Sequence, residues 1–170
     1  MKWRPALRRR AVGADVVAAL VDLPATDEAM ARNQLAIAPI AFHRDNVPLA
    51  QRVLGKTLWN AAANVRSRQL GADYNVVPRL GDIGAPSLIL TGREDFFCPP
   101  KQAERLHRGI PHSELVIFEC SGHYPFAEEN AAFQDAVRAW LSATQGGEAS
   151  PERSPGSPSA QPSVTTRSSR

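Results

Sequence analysis

The spacing of apolar side chains changes once along the chain, near residue 80. From 11 to 80 apolar positions recur at helical intervals without β-branched runs, and this stretch is read as helical. "TDEAMARNQLAIAPI" predicts a helix with Thr26 as N-cap, Asp27 and Glu28 in the first turn where the dipole favours carboxylates, and Pro39 near the stop. "PLAQRVLGKTLWNAAANVRSRQLG" sets Leu49, Val53, Leu54 and Leu58 at helical spacing and predicts a helix that ends at Gly71. Both helices are amphipathic and need a partner surface.

Beyond residue 80 the period shortens. "APSLILTG" and "SELVIFECSG" are short continuous apolar runs bounded by Pro and Gly, the pattern of strands buried on both faces. Between them "PPKQAERLHRGIP" opens with prolines suited to a first helical turn and lines up Ala103, Leu106 and Ile110. After them "NAAFQDAVRAWLSA" lines up Phe133, Val137, Trp140 and Leu141. The order strand, helix, strand, helix predicts a parallel crossover unit and an α/β fold. Two parallel strands do not stand alone, because each leaves an unpaired edge and both faces need cover. Association through an exposed sheet edge is therefore expected.

Composition trims the domain. From Gly146 to Arg170 the chain is rich in Ser, Pro and Gly with almost no large apolar side chain, so 146–170 is expected to be a disordered tail. The net charge of +3 is concentrated at the ends: Lys2, Arg4, Arg8, Arg9 and Arg10 make 1–10 a basic arm, and the tail adds one more, leaving −3 for 11–145. An acidic body without a basic stripe excludes nucleic acid as partner. No stretch approaches the roughly 20 apolar residues of a membrane span. Asp15 and Asp22 spoil a signal-peptide reading of the first residues. The two cysteines, Cys98 and Cys120, are expected as free thiols in a reducing, cytoplasmic setting. No Cys/His pair has finger-like or protease-like spacing, so no metal is expected.

In parallel α/β architecture chemistry gathers beyond the carboxyl ends of strands. Asp95 lies just past "SLILTG" and His123 just past "ELVIFE", so adjacent strands would deliver a carboxylate and an imidazole to one rim. An aspartate accepting from one imidazole nitrogen sets the tautomer and stabilises the imidazolium formed when the other takes a proton. Taken alone, Asp95 reads as a helix cap near Pro99 and His123 as an idle turn residue.

The stretch from Leu80 to Leu141 resembles the carboxyl-terminal part of α/β-hydrolase fold enzymes. The likeness rests on Ile83 and Pro86 before the strand, Gly92, Asp95 and Pro99, Ile110 and Pro111 after the helix, then Gly122, His123, Pro125 and Glu128. More loosely, "LWNAAANVRSRQLGADYNVVPRL" is similar to the cap segment of proline iminopeptidase-like hydrolases. The resemblance implies a partial α/β-hydrolase fold, with a cap-derived region at 11–80 and the last two parallel strands and their helices at 81–145. It implies Asp95 as triad acid and His123 as base, a small-molecule substrate, cleavage of an ester, amide or related bond, and no cofactor.

The serine has no counterpart. The family's nucleophile sits in a G-x-S-x-G elbow upstream of the acid, whereas Ser67, Ser87, Ser113, Ser121 and Ser142 all lack flanking glycines in that pattern. The chain is accordingly expected to be the cap and carboxyl-terminal portion of a longer hydrolase. The alternative is an inactive remnant or binding module that keeps a pocket. Cys98 is misplaced for an elbow and reads as a loop or pocket-wall residue; Cys120 reads as core. Phe96, Phe97, Trp59 and Phe126 are candidates to line a substrate pocket or simply to pack. Glu128 reads as favoured by a helix dipole, Glu94 as solvated, and His43, His107 and His112 as surface residues.

Overall fold

A computed structural model of the chain describes residues 13–22, 24–71, 74–146 and 164–167. The basic stretch 1–10 and most of the tail lie outside them. Helices α1 (Ala14–Val21) and α2 (Asp27–Ala36) come first, and the Thr26 hydroxyl accepts the Ala29 N–H at 3.2 Å, capping α2 as its sequence predicts. Pro39 sits inside the next short helix, α3 (Ala38–Ala41), at a position where its missing N–H costs nothing.

The single helix expected over 48–71 is corrected. A 3-10 turn, Arg44–Leu49, leads into α4 (Ala50–Leu54), and α5 (Ala61–Gly71) starts anew after an irregular link. Two side chains cap the restart: Asn60 Oδ1 accepts the Ala63 N–H at 2.7 Å and Asp27 Oδ1 accepts the Ala61 N–H at 2.8 Å. Leu58, counted into the apolar stripe, lies in the link and is 98% exposed. Periodicity registers spacing but not a cap reaching in from another helix.

Strands β1 (Ser87–Gly92) and β2 (Ser113–Phe118) pair in parallel from Ser87↔Ser113 to Gly92↔Phe118, joined by α6 (Pro100–Gly109). Short helix α7 (Pro125–Glu128) and long helix α8 (Asn130–Gly146) follow. Leu115 and Ile117 pack with Ala103 of α6, while Val116 and Phe118 pack with Ala136 and Phe133 of α8. Alternate residues of β2 thus face opposite helices, which is why Leu115 to Phe118 is apolar without a break.

One segment departs from the expected disorder of the tail. Val164–Arg167 forms strand β3, parallel to β2 from Leu115↔Val164 to Phe118↔Arg167. Ladder bonds use backbone groups that every such residue has, and the β-branched Val-Thr-Thr run tolerates extended backbone. β2 becomes the central strand, and β1 remains at an edge among the described residues. His107 is a second correction: it is buried on α6, with Nδ1 3.0 Å from the Ser113 hydroxyl.

The helical half packs over the carboxyl ends of β1 and β2. Ala38, Ala41, Phe42, Ala50 and Leu54 form one cluster, Val16, Ile37 and Ile40 another, and Phe97 from the loop after β1 touches both. Contact between strand ends is close enough to require glycine at Gly92, where an added Cβ would collide with the carbonyl oxygens of Ser121 and Gly122. Gly92→Ala is expected to cost about 1–3 kcal/mol of stability by urea denaturation. Gly81→Ala, which meets nothing within 4 Å, is expected to stay within about 0.5 kcal/mol of the parent.

Candidate active site

The loop after β1 and the turn after β2 are sewn together by backbone bonds. Arg93 N–H donates to Phe118 O at 2.8 Å and Glu94 N–H to Ser121 O at 3.0 Å. Arg93 also grips Glu119 through two bonds, of 2.9 and 2.6 Å, which hold the guanidinium above and the carboxyl below their ordinary pKa values. Asp95 follows. Its Oδ1 accepts the N–H groups of Phe97 at 2.9 Å and Cys98 at 2.8 Å, so the carboxylate orders its own loop and does not cap α6, which begins at Pro100.

His123 is positioned from the helical side. Its N–H donates to Ala41 O at 2.6 Å, where α3 ends against Gly122. Glu128 completes the clamp: one oxygen accepts the N–H groups of Gly122 at 2.8 Å and Tyr124 at 3.2 Å, the other that of His43 at 2.7 Å. Asn46 joins the Cys120 carbonyl at 2.8 Å to the same carboxylate at 3.3 Å, and buried Glu129 accepts from Cys120 N–H and the Ser121 hydroxyl, each at 2.8 Å. Glu128 closes α7, and the helix-dipole role read for it is replaced by this backbone-gathering one.

The two residues meet. His123 Nδ1 lies 3.1 Å from Asp95 Oδ1 and 3.0 Å from Oδ2. Asp95 is 7% exposed, whereas the His123 side chain is 36% exposed. A carboxylate only accepts, so Nδ1 carries a hydrogen, and it is the neutral form of the ring that keeps a lone pair on Nε2. Phe97 and Tyr124 meet the imidazole edge-on at centroid distances of 5.1 and 5.2 Å, and Tyr124 stacks on Phe42 at 4.7 Å. Burial, then the charges of Asp95 and Glu128, push the Tyr124 hydroxyl above its ordinary pKa.

A cavity of about 530 Å³ opens beside this pair, lined by His123, Tyr124, Phe96, Phe97, side chains of α1 and α2, and Arg68. Trp59 packs instead in the helical cluster around Phe42, and Phe126 is 48% exposed; neither lines the cavity. His43 is buried, not on the surface as expected, with Nε2 3.5 Å from Glu94, which also meets Arg44 at 3.4 Å. His112 is exposed, and Cys120 is half-buried where core was expected. Asp95, Cys98 and His123 form a group of potential metal ligands, with donor atoms all within 4.8 Å of one another. Asn46, Glu128 and Glu129 were missed as positioning residues because their partners are backbone groups, to which sequence motifs give no address.

The sequence profile of the alpha/beta hydrolase fold family matches residues 21–130, and the chain belongs to that family. It is 35% identical over 68 residues to a proline iminopeptidase of Lactobacillus delbrueckii subsp. bulgaricus, covering 40% of this chain and 23% of that protein. It is 37% identical over 90 residues to a pimeloyl-(acyl-carrier protein) methyl ester esterase of Vibrio atlanticus, covering 53% and 35%. An esterase from Exiguobacterium antarcticum superposes with a TM-score of 0.60 at 24% identity, over 78% of this chain and 47% of that one. An alpha/beta fold family hydrolase from Bacillus anthracis gives 0.56 at 26% identity, over 74% and 46%. The chain thus spans about a quarter to a third of these two curated relatives and just under half of each solved structure. No described helix is long and apolar enough to cross a membrane.

Two measurements probe the clamp and the loop. Glu128→Gln puts an N–H₂ group where backbone donors converge, and is expected to lose about 1–3 kcal/mol in urea denaturation. Burial and then the Asp95 charge push the Cys98 thiol above its ordinary pKa, although the residue as a whole is exposed. A raised pKa means less thiolate at neutral pH, so iodoacetamide should label Cys98 more slowly than a free peptide thiol, as followed by peptide mass spectrometry. Asp95→Asn removes the repelling charge and should speed that labelling.

Proposed function

We propose that this chain carries the acid and base of a serine-hydrolase triad acting on an ester, amide or related bond of a small molecule. The observation that carries the reading is the Asp95 carboxylate on His123 Nδ1, at the rim where two parallel strands end beside a largely apolar cavity. In the reaction, His123 Nε2 takes the proton of a serine hydroxyl as it attacks the scissile carbonyl, then returns it to the leaving group. Asp95 holds the ring in its tautomer and stabilises the imidazolium. Helices α1 to α5 act as a cap over the acyl or leaving-group pocket, with Phe96 and Phe97 as its wall.

The nucleophile is assigned to residues outside this sequence, since none of its serines sits in an elbow. Among the described residues, the hydroxyls of Ser67, Ser87, Ser113 and Ser121 are turned to other partners. That observation also favours a second reading, in which the segment keeps its cavity and binds without turnover.

A chimera separates the two. The matching segment of the Vibrio methyl ester esterase is replaced by residues 80–141 of this chain, and folding is checked by circular dichroism. The expected result is retained ester hydrolysis, with kcat falling about 10⁶-fold in His123→Ala and about 10⁴-fold in Asp95→Asn. A folded chimera without activity, or one indifferent to His123→Ala, would overturn the triad reading and leave the binding one.

A further inference from the structure

We propose that Asp95, Cys98 and His123 form a three-ligand site for a borderline divalent cation of the zinc class. The residues come from two chain segments, the loop after β1 and the turn after β2, and their donor atoms lie within 4.8 Å of one another. Sequence spacing hides the set, because Asp95 and Cys98 are neighbours in one loop while His123 belongs to a different turn.

Two of the three donors, those of Asp95 and His123, are held before any cation arrives. Oδ1 of Asp95 is occupied by the Phe97 and Cys98 N–H groups, which hold the carboxylate in place and leave Oδ2 facing His123 Nδ1 at 3.0 Å. The imidazole is wedged between Phe97 and Tyr124. Zinc–ligand lengths of about 2.0–2.3 Å put bound donors roughly 3–4 Å apart. Cys98 is exposed, so it is the member free to swing inward to that distance.

Charge and softness select the ion. A neutral imidazole, a carboxylate and a thiolate together carry two negative charges, which a divalent cation balances. Without the cation, carboxylate and thiolate would repel each other at this spacing. One thiolate and one imidazole favour zinc or cobalt over magnesium or calcium, whose preferred donors are oxygens. The cation takes the place of the hydrogen between Nδ1 and Asp95, so metal binding and proton relay by His123 exclude one another. The fourth position opens to solvent or to a ligand in the cavity.

Cobalt(II) gives the test without any enzymatic assay. The untagged full chain, kept reduced with a phosphine, is titrated with Co²⁺ and followed optically. The expected result is one equivalent bound, with visible bands of tetrahedral cobalt and a near-ultraviolet thiolate-to-cobalt band, both bleached by Zn²⁺. Cys98→Ser should abolish the near-ultraviolet band, and both it and His123→Gln should weaken Co²⁺ binding by about tenfold or more, while Cys120→Ser leaves the spectrum unchanged. No thiolate band, a band that survives Cys98→Ser or vanishes in Cys120→Ser, or an affinity indifferent to His123→Gln would each overturn the site. Failure of the metal site in this test leaves the hydrolase reading standing, because the readout is binding and not turnover.

Discussion

Gathering backbone N–H groups from three places onto one carboxylate is the constraint on which the site depends. Glu128 takes the N–H of His43 from the helical half and those of Gly122 and Tyr124 on either side of the histidine. Ionised acceptors make hydrogen bonds roughly twice as strong as neutral ones, and here one carboxylate supplies several at once. It ties the helices to the turn after β2, and the Ala41 carbonyl beside it takes the N–H of His123 itself. The direction in which the imidazole leaves the backbone is therefore decided by a residue that never touches it.

The loop after β1 repeats this device. Asp95 holds two N–H groups of its own loop with one oxygen while both oxygens lie within reach of the imidazole. A carboxylate so occupied cannot swing away, and edge-on contacts from Phe97 and Tyr124 restrict the ring from its sides. Pre-organisation of this kind suits a proton relay, because the geometry needed during reaction exists beforehand. The same cluster, with Cys98 beside it, is the one proposed to ligate a metal, and the two proposals require different occupants between Asp95 and the imidazole.

Much of the strand–helix–strand–helix unit was legible because buried parallel strands leave a plain signature. "LIL" and "LVIF" are unbroken apolar runs, and β2 indeed buries alternate side chains against α6 and α8. The meeting of Asp95 and His123 was legible as well, since parallel neighbours must end at the same rim. The helical half was read less well. Counting Leu58 into an apolar stripe merged α4 and α5, when Asn60 and Asp27 cap a new helix start. His43 and His107 were placed on the surface from their polar neighbours in sequence, yet both are covered by elements remote from them or by their own turn.

By itself the sequence determined local periodicity, the α/β class, and which carboxylate and imidazole stand at strand ends, because these follow from residue types at short range. Only the tertiary structure decided that Cys98 approaches that pair, that Glu128 and Glu129 serve backbone donors, that Trp59 and Phe126 miss the cavity, and that Val164–Arg167 extends the sheet. The physical reason is that backbone N–H and C=O groups are the same in every residue, proline's missing N–H aside. Which side chain they meet is settled when distant segments pack, and no spacing along the chain encodes it.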